Sequence, residues 1–453
     1  MLELSQILAV VIFLAMFIVI IIGRIRRYIP ALIGAALTII LVFLIAMKSP
    51  HTALGVFNLA ELGQARFWVP GHEPLVSHGV NWQTIIFITG MMVMVESMAE
   101  TGFFKWLCLW VAKLVNYRVM PILIGFMLLA GFLSMFIDSI TVLLFMATVG
   151  IELAHLLKFN PVPLIIGMIF AANIGGAASM SGDPPNLIIG TAFGYTFWDF
   201  LVNTGVIAWA GMLVSIVFFF FASRRHMGLS RTESGLLVGS HLQPGETIKN
   251  RFLFIVDLAV FILVIGLLVT HAQSGLSVAA IGVIAGILTL LLAFKKAPGI
   301  IRRVDWYSLL FFLGLFITVS GLEETGVLKT LAGFIGSASK GNIIIAMTII
   351  LWISAFASAV VDNIPFAATM VPVISNLSQA GGFSLPPLAW ALSLGTDIGG
   401  NGTPIGASAN VIGIAIAERE GHRISWGRFL RYGLPGMLLV VTVSWLLLVM
   451  RYT

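Results

Sequence analysis

The sequence predicts an all-α polytopic membrane protein, made of two inverted-topology repeats with re-entrant hairpins and unwound transmembrane helices. Three observations predict it: a lipid-like composition, a repeat at one fixed offset, and polar, helix-breaking motifs that interrupt apolar runs once in each half.

Composition bounds the class. Of 453 residues, 59% are hydrophobic and 10% charged, and the mean hydropathy is +1.06. Soluble domains carry about 25% charged residues. Runs at 7–22, 29–47, 206–221, 252–269, 278–294 and 437–450 approach the length that spans a bilayer. They do not alternate, which excludes a β-barrel, and lipid leaves helices as the other way to pair every backbone group. The opening MLELSQ has no basic segment before its apolar run, so 1–28 reads as a retained helix, not a leader. The net charge of +6 lies in loops and does not suggest nucleic acid. Cys108 is the single cysteine, which excludes an internal disulfide and a cysteine-based metal site; no cofactor is expected.

The repeat is visible in the numbering. Trp82 and Trp306, Gly90 and Gly314, Asp138 and Asp362, Gly175 and Gly399, Asn186 and Asn410 are each 224 apart. Residues 33–43 resemble 284–294 at an offset of 251, so the first half carries 27 extra residues (251 − 224) between 46 and 78. That insertion, with Pro50, His51, Trp68, Pro70, His72 and Pro74, reads as an aqueous loop with interfacial aromatics. The organisation expected is a first helix at 1–28, repeat 1 at 29–222, a cytoplasmic linker at 223–251, a linking helix at 252–273 and repeat 2 at 274–453. Basic residues swap sides between the halves. Arg24, Arg26 and Arg27 precede the second helix, whereas Lys295, Lys296, Arg302 and Arg303 follow its counterpart. The positive-inside rule then makes the repeats inverted, with both termini outside an inner membrane.

Two motifs in each half place polar residues at membrane depth. Asp138-Ser139 interrupts an apolar run, as Asp362-Asn363-Ile364-Pro365 does in the second half. These read as tips of re-entrant hairpins at about 131–157 and 355–380. The second motif, at 171–190 and 395–414, is rich in Gly, Ser, Asp and Pro, and reads as broken helices at about 162–200 and 386–417. Unwound backbone survives at that depth only where it lines a protein-buried or watery cavity, and inverted-repeat transporters build midplane sites this way. The substrate-site residues expected in repeat 1 are Asp138, Ser139 and Thr141 of the tip, with Asn173, Gly175, Gly176, Ser179, Ser181, Gly182, Asp183 and Asn186 of the broken helix. In repeat 2 they are Asp362 and Asn363, with Asp397, Gly399, Gly400, Asn401, Thr403 and Asn410.

On these residues, IGGAASMSGDPPNLIIG and IGGNGTPIGASANVIG with the two Asp-containing tips, the chain resembles the ion transporter superfamily, in particular its arsenite permease and P-protein branches. The resemblance covers roughly 30–450. It implies a dimer with a scaffold domain and a transport domain that moves like an elevator. Dicarboxylate/sodium members of the superfamily carry Ser-Asn-Thr motifs at the tips, where this chain has Asp138-Ser139 and Asp362-Asn363.

Site chemistry narrows the solute. Segments 131–150, 170–192, 354–376 and 395–416 hold four Asp and no Lys, Arg or His. Such a site disfavours a multivalent anion and suits a cation, a proton or a neutral hydroxylated solute such as arsenous acid. Burial raises the pKa of a carboxyl in general, which suits proton coupling. Asp183 and Asp397 face Ala407 and Asn173 across the repeat, so these unmatched acids, with Asp138 and Asp362, are the proton-coupling candidates. The expected activity is proton-coupled arsenite or antimonite efflux. A sodium/proton antiporter and an anion transporter or channel of the P-protein kind are the alternatives, and a separate ATPase subunit stays open. No nucleotide loop, HExxH or triad pattern supports an enzyme. Glu100 and Glu324 read as helix ends beside interfacial helices, Glu152 and His155 as an interfacial polar pair, and Gly282 and Gly286 as a helix contact.

Overall fold

The computed structural model describes residues 3–69, 79–224, 227 and 243–452. Pro70, His72, Pro74 and most of the linker lie outside them. Every regular element among the described residues is helical, and nine helices are long and apolar enough to cross a membrane. The chain is therefore a multi-pass membrane protein.

Repeat 1 comprises α1 (Leu4–Ile22), α2 (Tyr28–Leu37, continued by a π-helical stretch, Thr38–Ala46), α3 (Trp82–Thr101), α4 (Phe103–Leu114), α5 (Val119–Ser134), α6 (Ser139–Leu156), α7 (Val162–Gly176), α8 (Pro184–Phe193) and α9 (Val206–Ser223). Repeat 2 follows the same order: α10 (Arg251–Val269), α11 (Val278–Ala293), α12 (Trp306–Glu324), α13 (Val327–Ser339), α14 (Ile343–Ser358), α15 (Asn363–Gly381), α16 (Leu385–Gly399), α17 (Ser408–Arg419) and α18 (Trp426–Tyr452). The first and linking helices thus belong to the repeats as counterparts. Gln6 of α1 donates to Thr325 O at 2.9 Å, while Asp257 of α10 accepts from Ser97 at 2.9 Å, each near the end of a helix of the partner repeat. The hairpins also begin earlier than expected, at Val119 and Ile343 instead of 131 and 355, because Arg118 and Asn342 stand just outside the apolar runs and start the helices there.

Packing reveals the inversion. Going along α3 and α11 together, Gln83 bonds Ala279 N, Phe87 meets Gly282 and Gly90 meets Gly286, so these helices run parallel. The same pairing recurs with the repeats exchanged: Ala31 of α2 lies on Gly314 of α12, Gly34 on Thr318 and Thr38 on Gly321. Glycine at these crossings lets the backbones touch. Arg303, just before α12, pairs with Glu96 and Glu100 in the last turns of α3. α3 therefore ends where its counterpart α12 begins, and the two run in opposite directions.

α1–α3 and α10–α12 form one six-helix group. The rest forms a second unit around the broken helices, with α4 and α13 as amphipathic connectors. Gly102 and Gly326, at φ +92° and +77°, turn the chain from α3 into α4 and from α12 into α13. Lys105 of α4 bridges Glu152, near the end of α6, at 2.8 Å. α6 thus returns to the face from which α5 entered, as a re-entrant hairpin must. The described part of the insertion, up to residue 69, is held to α3: Gln83 and the Trp82 indole donate to Phe67 O and Phe57 O at 2.7 and 2.8 Å.

Candidate functional site

At each hairpin tip the Asp heads the returning helix. Asp138 accepts from Thr141 N and Oγ1 at 3.0 and 2.6 Å, and Asp362 accepts from Ile364 N at 3.3 Å. Free N–H groups at a helix start need such acceptors, so both are N-caps. Asp183 occupies the same position at the start of α8, but its side chain makes no cap bond. It turns inward, accepting from Ser139 at 2.9 Å and from Asn363 at 2.7 Å. Asn363 also reaches Asp397 Oδ1, at 3.4 Å. One amide therefore bridges two buried carboxylates, from opposite repeats. Asp397 is fully buried in the last turn of α16, at the negative end of that helix.

Both repeats interrupt a helix: α7 stops at Gly176 and α8 starts at Pro184, α16 stops at Gly399 and α17 starts at Ser408. An asparagine clamps each gap. Asn186 Nδ2 donates to Gly176 O and Ser179 O at 2.9 and 3.1 Å, and Asn410 Nδ2 to Gly400 O and Thr403 O at 2.7 and 2.8 Å. These bonds satisfy carbonyls freed by unwinding. Ser179 and Ser181 tie the first gap to Met135 O of its hairpin, and Thr403 ties the second to Ala359 O. Asn173 joins the gaps, donating to Asn401 and Asn410 at 2.9 and 3.0 Å. Asn173 Oδ1, Asn401 Nδ2 and Asp397 Oδ2 are buried without a protein partner. Gly175 and Gly399 serve packing: they admit the backbones of Gly131 and Ala355 on the hairpins' first arms. A Cβ on Gly182 would lie 2.5 Å from Gly176 O and Ser134 O, so only glycine fits that turn. Gly176 and Gly400 close the helices before the gaps.

The expected residues thus form one cluster, with Asp138 at its edge. A cavity of about 20 Å³, room for about one water-sized particle, lies between Asp138, Ser181 and Asp183 and the α3 residues Phe87 and Met91. One site residue was missed. Arg27, at the start of α2, pairs with Asp362 Oδ2 at 3.2 Å, bonds Ser408 and donates to Ser308 at 3.1 Å. The charge inventory of the motifs omits it because it comes from 335 residues earlier in the chain. Its place in a basic run, Arg24-Ile25-Arg26-Arg27, signals topology, not a site.

An inverted-repeat helical membrane protein with two broken helices meeting two re-entrant tips around buried acids defines a membrane transporter, not an enzyme. Residues 17–395 match the family described as "Citrate transporter" (CitMHS). The chain belongs to that family, within the ion transporter superfamily. It is 31% identical over 452 residues to an uncharacterized transporter of Mycobacterium bovis, covering 99% of both chains, and 30% identical over 451 residues to a 46 kDa membrane protein of Mycobacterium leprae, again 99% of both. It is 31% identical over 486 residues to the P protein of Mus musculus, spanning 88% of this chain and 58% of that one. The solved YdaH transporter of Alcanivorax borkumensis shares the fold, with a TM-score of 0.53 at 14% identity over 88% of each chain. The likeness to the P protein agrees with one branch expected from the motifs. The family match does not single out the arsenite permease branch.

Proposed function

We propose that the chain is a proton-coupled secondary transporter that works by alternating access, with the unit carrying the broken helices moving against the six-helix group. The observation that carries this reading is the Asp183–Asn363–Asp397 bridge: two buried acids from opposite repeats, with a polar cluster behind them. A proton on this pair halves its charge for passage through a low-dielectric barrier. The two tips also differ in a way that pseudo-symmetry alone does not require. Phe136 beside Asp138 is 8% exposed, stacked on Phe197 and edge-on to Phe261, whereas its counterpart Val360 beside Asp362 is 51% exposed. This difference fits one end state of an exchange in which the tips trade cover.

The solute remains a small inorganic species of the arsenite or antimonite kind, moved outward against protons. Asn173, Asn401 and Ser181 offer donors and acceptors to a neutral hydroxylated solute. Arg27 favours a second reading, a carboxylate anion, because it supplies the fixed positive charge missing from the motifs; the family's description points the same way. Basic residues support a cytoplasmic position for the face where α3 ends: Arg24, Arg26, Arg27, Arg118, Lys158, Lys295, Lys296, Arg302 and Arg303 all lie there. Both termini are then outside. Proteoliposomes with an imposed pH gradient, offered arsenite, antimonite, sodium, chloride and citrate in turn, test the proposal. Arsenite flux that follows the pH gradient supports the first reading, and citrate flux the second. Flux of any of them that ignores the pH gradient overturns proton coupling.

A further inference from the structure

Two helix ends meet on the face where α3 ends. α6 closes in a Schellman turn: Phe159 N donates to Ala154 O at 3.0 Å, Lys158 N to His155 O at 3.4 Å, and Lys158 takes φ +56°. α17 closes the same way, with His422 N on Ala417 O at 2.8 Å, Gly421 N on Glu418 O at 3.0 Å, and Gly421 at φ +82°. These turns fix the backbone under two histidines, one in the last turn of α6 and the other just past α17. Their Nε2 atoms are 2.8 Å apart, with ring centroids 5.1 Å apart and the ring planes tilted by 55°.

We propose that His155 and His422 form a binding site for a divalent transition-metal ion of the zinc class, with water completing the shell. Two imidazole nitrogens about 2.0–2.1 Å from one ion, at a tetrahedral or right angle, stand roughly 3 Å apart. The rings now face each other end to end, with 5.1 Å between centroids for 2.8 Å between nitrogens, so an ion requires each ring to turn by roughly 35–45° about its Nε2. Imidazole is a donor that zinc, nickel and copper accept readily. Both helices point their C-terminal, negative ends at the pair, which favours a cation. Glu152, one turn before His155, and Glu420, two residues before His422, add negative charge, while Lys105 and Arg428 oppose it. The pair is exposed, so an ion and its waters reach it. The bound ion ties the first hairpin to the second half of the other repeat's broken helix, elements whose far ends carry Asp138 and Asn410. This inference stands apart from the identity of the transported solute.

Thermal unfolding of the full chain in detergent, titrated with zinc chloride and with magnesium chloride as a control, tests it. Binding to the folded state raises Tm with concentration. The expected result is a zinc-dependent rise absent with magnesium, its midpoint moved at least tenfold higher in His155→Gln and in His422→Gln, each unfolding like the parent without zinc. No rise in the parent overturns the proposal. So does a rise that persists in either variant, since another histidine such as His51 or His271 then holds the ion. Oxidative cross-linking of a His155→Cys/His422→Cys pair checks the geometry separately: a cross-link without any zinc response retains the contact and removes the metal.

Discussion

Arg27 of α2 and Asp362 at the second hairpin tip form an ion pair at 3.2 Å that joins the six-helix group to the unit carrying the broken helices. Asp362 is largely buried, with a side-chain exposure of 11%, and Ser408 donates to the same oxygen at 2.6 Å. If that unit slides, this contact breaks and re-forms in every cycle. Removing one partner strands the other charge. Arg27→Gln and Asp362→Asn are each expected to slow initial uptake by at least tenfold. The double variant should be no slower than the worse single one, because the two act as one pair. Additive losses in a double-mutant cycle would show two separate roles.

The three acids nearest the site should respond differently to loss of charge. Asn caps a helix about as well as Asp. Asp138→Asn is therefore expected to keep more than half of the pH-driven flux. Asp183→Asn and Asp397→Asn should abolish coupling to the pH gradient, while solute exchange at equal pH on both sides survives. Stopped-flow fluorescence of a trapped pH dye in proteoliposomes separates these outcomes.

Asn186 and Asn410 hold the unwound stretches together. Each supplies two bonds to buried carbonyls, worth about 1 kcal/mol apiece, with a further penalty for leaving the carbonyls unpaired. Asn186→Ala and Asn410→Ala should each lower stability by about 2–4 kcal/mol, read as a fall in the detergent unfolding midpoint. Asn401→Ala, which removes one bond to Asn173, should cost less.

The six-helix group depends on glycine. A Cβ at Gly282 would lie 2.5 Å from the Phe87 Cα, backbone against backbone, whereas one at Gly266 meets nothing within 4 Å. Gly282→Val should therefore fail to assemble, and Gly266→Val should fold normally. Monodispersity on size-exclusion chromatography after mild solubilisation distinguishes them.

Much of this architecture was legible in the residues. The offset linking Asp138 to Asp362 and Asn186 to Asn410 gave the order of elements, and the Gly and Pro clusters gave the breaks, because lipid allows unwound backbone only in a shared interior. The acids that break the repeat, Asp183 and Asp397, prove to be the bridged pair. What could not be read are contacts made in three dimensions. Arg27 lies in a topogenic run, and nothing in its neighbourhood signals Asp362. His155 was paired by spacing with Glu152, but it meets His422, and Glu152 meets Lys105. Asp138 stands with Asp183 among the coupling candidates, although of the two only Asp183 lacks an acidic counterpart in the repeat. What the structure adds is whether the side chain caps its own helix, which is a matter of rotamer, not of residue type.

The reciprocal packing of the two halves also has a bearing on vectorial work. A framework whose inverted copies embrace alike is close to the same object seen from either side of the membrane, so its scaffold alone assigns no preferred direction. Polarity of flow must reside where the copies disagree, at Asp183 against Ala407, Asp397 against Asn173, and Arg27 against Val278. Phe136 against Val360 and the insertion present in one half alone belong to the same set, the features by which the two faces are told apart.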